Sequence, residues 1–440
     1  MSELSPTADE PPPGHDPYAA LRVRDFRFFW GGNFIALLGM QMQFAAVLWE
    51  INLRTGSAFA LGLVGLVQVI PVVSLALVAG HVADRFNRKY IVMISSLVIA
   101  AAAVGLLLVS LIRDEWLSVV CMFGLLFITG IARAFQQPAK SSLMPQLVPR
   151  NRFTNAITWS AMAFQLASVL GPAAGGLLIG ACGGPLPVFV CHAAFALAFC
   201  GLLTQVRHQR EATEQEPITL ENLMAGVNFV RQNRLILSAI SLDMFAVLLG
   251  GAVALLPIYA KQILEVGPTG YGWLRAAPAI GALLMSLIMA KLPPMKHAGR
   301  NLLFSIAGFG VATIAFGLSR SFPLSFALLF LTGVFDNVSV VVRHSLVQLL
   351  TPDAMRGRVS AINGMFISIS NEVGDFEAGS VAALFTPVIS VVSGGIGTLV
   401  VVAITACRVP ELRRYGRLDS LAPENLEEAG TSTEAEAQSV

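Results

Sequence analysis

Charge is what this sequence has least of. Asp, Glu, Lys and Arg make up 13% of its 440 residues, about half the roughly 25% of an ordinary soluble domain. Length alone would allow two or three soluble domains, but the long apolar runs exclude them. Those runs lack period-2 alternation, which excludes a β-barrel. No Gly-x-x-x-x-Gly-Lys-Ser/Thr segment is present, so a nucleotide-driven pump has no phosphate loop. The five cysteines (Cys121, Cys182, Cys191, Cys200 and Cys407) show no CxxC spacing, and the six histidines are isolated. A metal site therefore has no support, no cofactor is expected, and the cysteines read as small apolar side chains. No cleavable signal peptide is expected from residues 1–20, which contain acids and the run Pro11-Pro12-Pro13.

What is present is hydrophobic length. Twelve apolar runs lie at about 27–52, 58–82, 90–112, 116–138, 154–181, 186–205, 235–260, 270–290, 301–318, 323–347, 358–384 and 386–407. Each is near the roughly 20 residues a helix needs to cross the hydrocarbon core. The expectation is an all-α membrane protein with twelve transmembrane helices. Basic residues decide the orientation: 22 of 29 fall in the terminal segments and alternate connections, while the opposite side keeps Arg54, Arg113, Lys261 and Arg320. That asymmetry places both termini in the cytoplasm. A polar stretch, Arg207 to Pro217, interrupts the pattern before Leu220, Leu223, Met224, Val227 and Val230 recur at helical spacing. The chain thus divides into a disordered cytoplasmic tail (1–20), a six-helix bundle (21–205), a linker with an amphipathic surface helix (206–234), a second bundle (235–407) and a second tail (408–440).

Between the second and third runs lies Gly80-His81-Val82-Ala83-Asp84-Arg85-Phe86-Asn87-Arg88-Lys89. Gly80 admits a neighbouring helix. Asp84 offers an anion to a helix N-terminus, and Arg85, Arg88 and Lys89 hold the turn at an anionic membrane face. The segment resembles the loop between helices 2 and 3 of major facilitator superfamily transporters. The two halves also match each other. Ser142-Leu143 aligns with Ser345-Leu346, Leu147 with Leu350, Pro149 with Pro352, Gly171 with Gly374 and Gly176 with Gly379 at an offset of 203. Gly65 and Pro71 align with Gly272 and Pro278 at 207. The expected fold is that of the superfamily, two six-helix bundles in pseudo-two-fold parallel repeat with substrate bound between them.

Gly171-Pro172-Ala173-Ala174-Gly175-Gly176 in the fifth run resembles the core of a glycine-proline motif of superfamily exporters, although Thr158 and Ala167 stand where its longer form has glycines. Pro172 frees a backbone carbonyl and the glycines allow close packing. The same residues also read as a packing kink without bearing on direction. Asp336 to Arg343, Thr351 to Ala361, Asn371 to Gly379, Ala132 to Gln136 and Leu147 to Arg150 resemble the branch that includes the bacterial enterobactin exporter. Asp375 stands where a glutamate is usual, and Glu50 where a glutamine is expected.

Charge inside a bilayer costs about 2.5–3.5 kcal/mol per residue on insertion scales, so such residues face a cavity or a partner. Glu372 and Asp375 are three apart on one helix face, and Asp336 and Arg343 are seven apart, two turns on one face. In the functional reading Glu372, Asp375 and Asp336 exchange protons, with Arg133 and Arg343 as counter-charges or anion contacts. In the structural reading all five form a static salt-bridge network. Asp243 and Arg275 lean structural. Gln41 and Gln43 either line the cavity or bond between helices.

The resemblance implies a secondary active transporter of the bacterial inner membrane, with lipid, protons and a small amphipathic substrate (siderophore- or drug-like) as partners and no nucleic acid. It implies proton-coupled export by alternating access, carried out by a monomer. A lipid or metal-ion transporter of the same fold is the alternative. A membrane-embedded enzyme would need a nucleophile–base pair, for which His192 and His344 are the only histidines at mid-membrane. A sensor would be expected to lose the gate and glycine-proline motifs.

Overall fold

The computed structural model describes residues 16–207, 220–293, 295 and 297–414. The expected tails at 1–15 and 415–440 and the linker stretch 208–219 lie outside the described residues. Among the described residues the chain is helical, with no strand. The first half holds α1 (Arg24–Thr55), α2 (Ala58–Ser74), α3 (Ala76–Arg85), α4 (Arg88–Ser110), α5 (Glu115–Leu143), α6 (Phe153–Cys182) and α7 (Leu186–Thr204). After α8 (Leu220–Gln232) come α9 (Arg234–Gly250), the short α10 (Leu256–Ile258), α11 (Gly267–Met289) and α12 (Ala298–Leu318). The chain closes with α13 (Phe322–Leu350), α14 (Asp353–Leu384), α15 (Pro387–Arg408) and α16 (Pro410–Arg414).

Local chemistry sets where these helices begin. Ser57, Asp114, Asn233 and Thr386 each accept a backbone N–H of the first turn they precede, satisfying donors that a helix start leaves orphaned. Among the described residues ten helices are long and apolar enough to cross a membrane, and the pair α2 and α3, bent by 54° where they join, makes an eleventh. The bend follows Pro71, whose ring and missing N–H break the ladder. The run at 358–384 becomes α14, 32 residues long. Its length suffices to cross, but Glu372, Asp375 and Glu377 keep it out of the apolar set. The arrangement is consistent with twelve crossings.

The run expected at 235–260 is not one helix. It breaks at Gly250-Gly251, continues through a 3₁₀ turn at Val253–Leu255 and α10, and ends in a π turn at Tyr259–Ile263. Gly251 lies against the backbone of Gly374, and Asp375 Oδ1 accepts the Ala254 N–H at 3.3 Å. The acid on α14 therefore satisfies a backbone donor released by the break.

Packing repeats between the halves. In the first, α1 packs on α6 and α7, α4 on α5 and α7, and α2 on α5. In the second, α9 packs on α14 and α15, α12 on α13 and α15, and α11 on α13. Two extensive contacts join the halves, α6 with α11 and α2 with α14, and smaller ones run from α1 to α10 and α11 and from α2 to the 3₁₀ turn at Val253–Leu255. Gly176 meets Gly272 in the first and Gly62 meets Gly379 in the second, backbone on backbone with no room for a Cβ. Gly176 and its repeat mate Gly379 thus do the same work. These crossings lie toward the end of the molecule remote from the termini, called here the far end. The core runs across the seam, with Trp49 stacked on Tyr271 at 5.5 Å and the Tyr271 hydroxyl donating to Ala45 O at 3.3 Å. At the terminal end, α8 lies on α14, with Gly226 against Ile362 and Arg358 and Val230 buried beside Ile236 and Val359.

Candidate functional site

At the seam, α14 presents Glu372 to the first half. Its carboxylate rests against Gly65 of α2, where any Cβ would overlap it. One oxygen, Oε2, is buried with no hydrogen-bond partner among the described residues. Two cations lie within electrostatic reach, Arg133 from α5 and Arg275 from α11, one from each half. Arg133 Nη1 donates to Gln68 Oε1 at 3.1 Å. The Arg275 guanidinium lies 4.7 Å from the centre of the Phe44 ring, a cation–π contact across the seam. Asp375, three residues along, neighbours Glu372 and Arg275 as well as the Ala254 N–H. Two acids and two guanidiniums therefore gather where the halves meet, and a carboxylate oxygen left unbonded there is poised to take a proton or a ligand donor.

A second cluster lies inside the second half. Arg343 was expected to face Asp336 from its own helix. It pairs instead with Asp243 of α9, Nη1 to Oδ2 at 2.5 Å, with the side chains 2% and 6% exposed. Asp243 also accepts Ser339 Oγ at 3.2 Å. Sequence spacing shows only neighbours along one helix, and here the better partner comes from the next one. Asp336 makes no ion pair among the described residues and borders a small void beside Asp243 and Phe335.

The first half encloses a cavity of about 140 Å³ lined by α1, α2, α4, α5, α6 and α7. Gln43, Gln68, Arg133, Gln136, Lys140 and His192 supply its polar lining, and Phe44, Phe164 and Phe199 its aromatic one. His192 Nδ1 is hydrogen-bonded to Gln43 Oε1, and Gln136 Nε2 donates to Ser96 Oγ at 3.0 Å. Gln41 does not line this space. It donates to Ser168 Oγ at 2.9 Å and packs on Gly171, bonding α1 to α6.

The remaining motif residues hold helices. Gly171 abuts Gln41, Gly175 abuts Met42, and Gly176, with the Pro172 carbonyl, abuts Gly272. The motif thus seats α6 between α1 and α11. Gly80 is buried in α3, which packs on α5. Asp84 Oδ1 lies 4.0 Å from Arg88 Nη2, an ion pair within its own turn. Arg88 Nε donates to Ala83 O at 3.3 Å, and Lys89 Nζ to Val206 O at 2.7 Å, tying the start of α4 to the end of α7. Arg85 sits in the last turn of α3. Glu50 pairs with Arg54 at 2.6 Å, and Arg54 donates to Ser110 O and Ile112 O, which closes α1 onto the end of α4.

Sequence reasoning overlooked Lys140 and His192 as cavity residues. The signal was available: Arg133, Gln136, Gln137 and Lys140 follow i, i+3, i+4, i+7 and mark one polar stripe on α5. Lys140 also lies at the cytoplasmic end of the fourth apolar run, where a basic residue reads equally as an orientation signal. Among the described residues no group of three or more His, Cys, Asp or Glu side chains is placed to hold a metal ion.

Comparison with known proteins places this geometry in context. A family model described as the transmembrane secretion effector matches residues 15–434. The enterobactin exporter EntS of Escherichia coli O1:K1 / APEC is 27% identical over 394 residues, 89% of this chain and 93% of that protein. A bacterial homologue of the human lysosomal transporter Spinster, solved inward-facing and unoccupied, is similar with a TM-score of 0.66 and 16% identity, covering 91% of this chain and 98% of that one. The inward-open xylose transporter XylE from E. coli gives a TM-score of 0.63 at 14% identity, covering 92% and 99%. At such identities the structural likeness speaks to the fold.

Proposed function

The chain belongs to the transmembrane secretion effector family of the major facilitator superfamily, and from that premise we propose that it is a proton-coupled exporter of a small amphipathic, siderophore- or drug-like molecule. It is a multi-pass membrane transporter. In this reading it sits in a bacterial inner membrane as a monomer with both termini cytoplasmic, and the far end faces outward. Bundles 21–205 and 235–407 rock about the glycine crossings, while the linker 206–234 holds them together. The position of the crossings toward the far end supports an inward-facing state in this reading, the state named for two of the structures the chain resembles.

The observation that carries the reading is the unpartnered oxygen of Glu372 at the seam, with one arginine supplied by each half. A proton arriving at Glu372 or Asp375 changes how strongly the halves hold each other there, because it removes a charge from between two guanidiniums. Coupled carboxylates titrate as a pair, so the coupling belongs to both. Export is supported by the EntS likeness and by the glycine-proline motif of α6. The Asp243–Arg343 pair is static in this scheme, with Asp336 a secondary proton site.

The test is transport in proteoliposomes with an imposed pH gradient, using enterobactin and a cationic dye as probes. A one-unit gradient at one proton per substrate sustains a concentration ratio of about tenfold, since about 1.4 kcal/mol is a factor of ten. Wild type should approach that ratio for at least one probe. Glu372→Gln and Asp375→Asn should fold yet only equilibrate the probe across the membrane. Undiminished accumulation by both variants would remove these acids from the proton path.

A further inference from the structure

The cavity of the first half is unequal in charge. Its lining holds two cations, Arg133 and Lys140, and no carboxylate. The two are close enough to repel each other. Arg133 is already engaged by Gln68 and by the field of Glu372. Lys140 is not: among the described residues it makes no ion pair, and its Nζ lies 5.1 Å from the centre of the Phe199 ring. A cation over one ring face, beside a second cation, leaves room for an anion between them. The walls favour a flat partner. Phe44 and Phe199 are joined by Phe164, which is 51% exposed. A volume of about 140 Å³ is close to the roughly 150 Å³ void that takes up benzene in an engineered protein interior. Gln43, Gln136 and His192 add hydrogen-bonding groups around the rim, held in place by their bonds to each other and to Ser96.

We infer that this cavity binds a planar aromatic group bearing a negative charge, a carboxylate or phenolate, with Lys140 as its principal charge partner. The inference rests on the exporter reading in one respect, that the bound group belongs to the transported molecule, and it names that molecule's chemical class. Lys140 is then the residue that selects anionic over neutral and cationic cargo. A Lys140 whose only task was to mark the membrane edge would make no such distinction.

The experiment uses the full-length protein in lipid nanodiscs and three probes of nearly one shape: benzoate, benzamide and benzylamine. Benzoate should bind tightest, and Lys140→Gln should weaken it by about tenfold to a hundredfold, the loss expected for one charge-assisted hydrogen bond. Benzamide should change little in that variant, and Lys140→Arg should restore benzoate binding. Equal binding of the three probes, no binding of any, or unchanged benzoate affinity in Lys140→Gln would overturn the inference. Should Lys140→Gln fail to fold, the ranking of the three probes on the wild type decides alone. Proteoliposome efflux separates the two readings. Charge-selective binding without efflux counts against the exporter and leaves this site standing, whereas efflux without charge preference does the reverse.

Discussion

The Glu372 carboxylate on α14 fits against the bare backbone of Gly65 on α2, so a glycine in one half makes room for an acid in the other. The fit ties the side chain proposed to carry protons to the surface along which the halves must move.

Gly65→Ala should therefore disturb Glu372 directly. A methyl group there overlaps only the carboxylate end of a flexible side chain, which can rotate aside, so the cost is about 1 kcal/mol, the scale of a displaced rotamer. The acid must turn away or the halves must part. Thermal unfolding in detergent should show the loss, and Gly65→Ala combined with Glu372→Ala should recover most of it. A double variant no better than the single would show that the two positions do not interact.

Asp243→Ala should be among the most damaging single changes in the second half. It leaves the Arg343 guanidinium buried without its counter-charge, a situation that costs about 3–5 kcal/mol in proteins. Replacing both partners by apolar residues, Asp243→Leu with Arg343→Met, should recover stability. Melting temperature and folded yield measure both. If Asp243→Ala melts like wild type, the pair contributes little.

Asp84 is proposed to act when the terminal end closes, by meeting the start of α14 near Gly357. A helix N-terminus favours an anion by about 0.3–1 kcal/mol, so Asp84→Asn should shift the closed-to-open ratio by about two- to fivefold toward open. Spin labels at Ser141 and Gln348, both exposed at the terminal end, would report it as a change in distance populations. Identical distributions in the two proteins would refute the gating role.

Reporter fusions after residues 114 and 213 should report opposite sides of the membrane, with the second in the cytoplasm. The same side for both would sink the proposed orientation.

Much of the fold was legible because hydrophobic length is a local property. Each crossing announces itself over about 20 residues, the one formed by α14 least strongly because Glu372, Asp375 and Glu377 interrupt its apolar run. The repeat mates Gly176 and Gly379 were visible as an offset, and their equal role at the two crossings needed the structure. The break at Gly250-Gly251 was hidden because apolar composition continues through it. Pairings between helices were the least legible. Nothing in sequence spacing says that Arg343 reaches Asp243 on α9; Glu50 and Arg54 are spaced to pair along α1, but that Arg54 also fastens α1 to the end of α4 needed the structure.

The 54° bend between α2 and α3 has a mechanical consequence. Above the elbow, α2 is clasped to α14 across the seam; below it, α3 leans on α5 within its own half. One span thus serves as pivot and as crank arm. When the arm swings, the clasp can stay shut, so a movement at the mouth need not loosen the opposite wall. Pro71→Ala, which restores an N–H at the elbow, is expected to couple the two, and substrate flux through proteoliposomes without a pH gradient, above that of wild type, is the measurement that checks it.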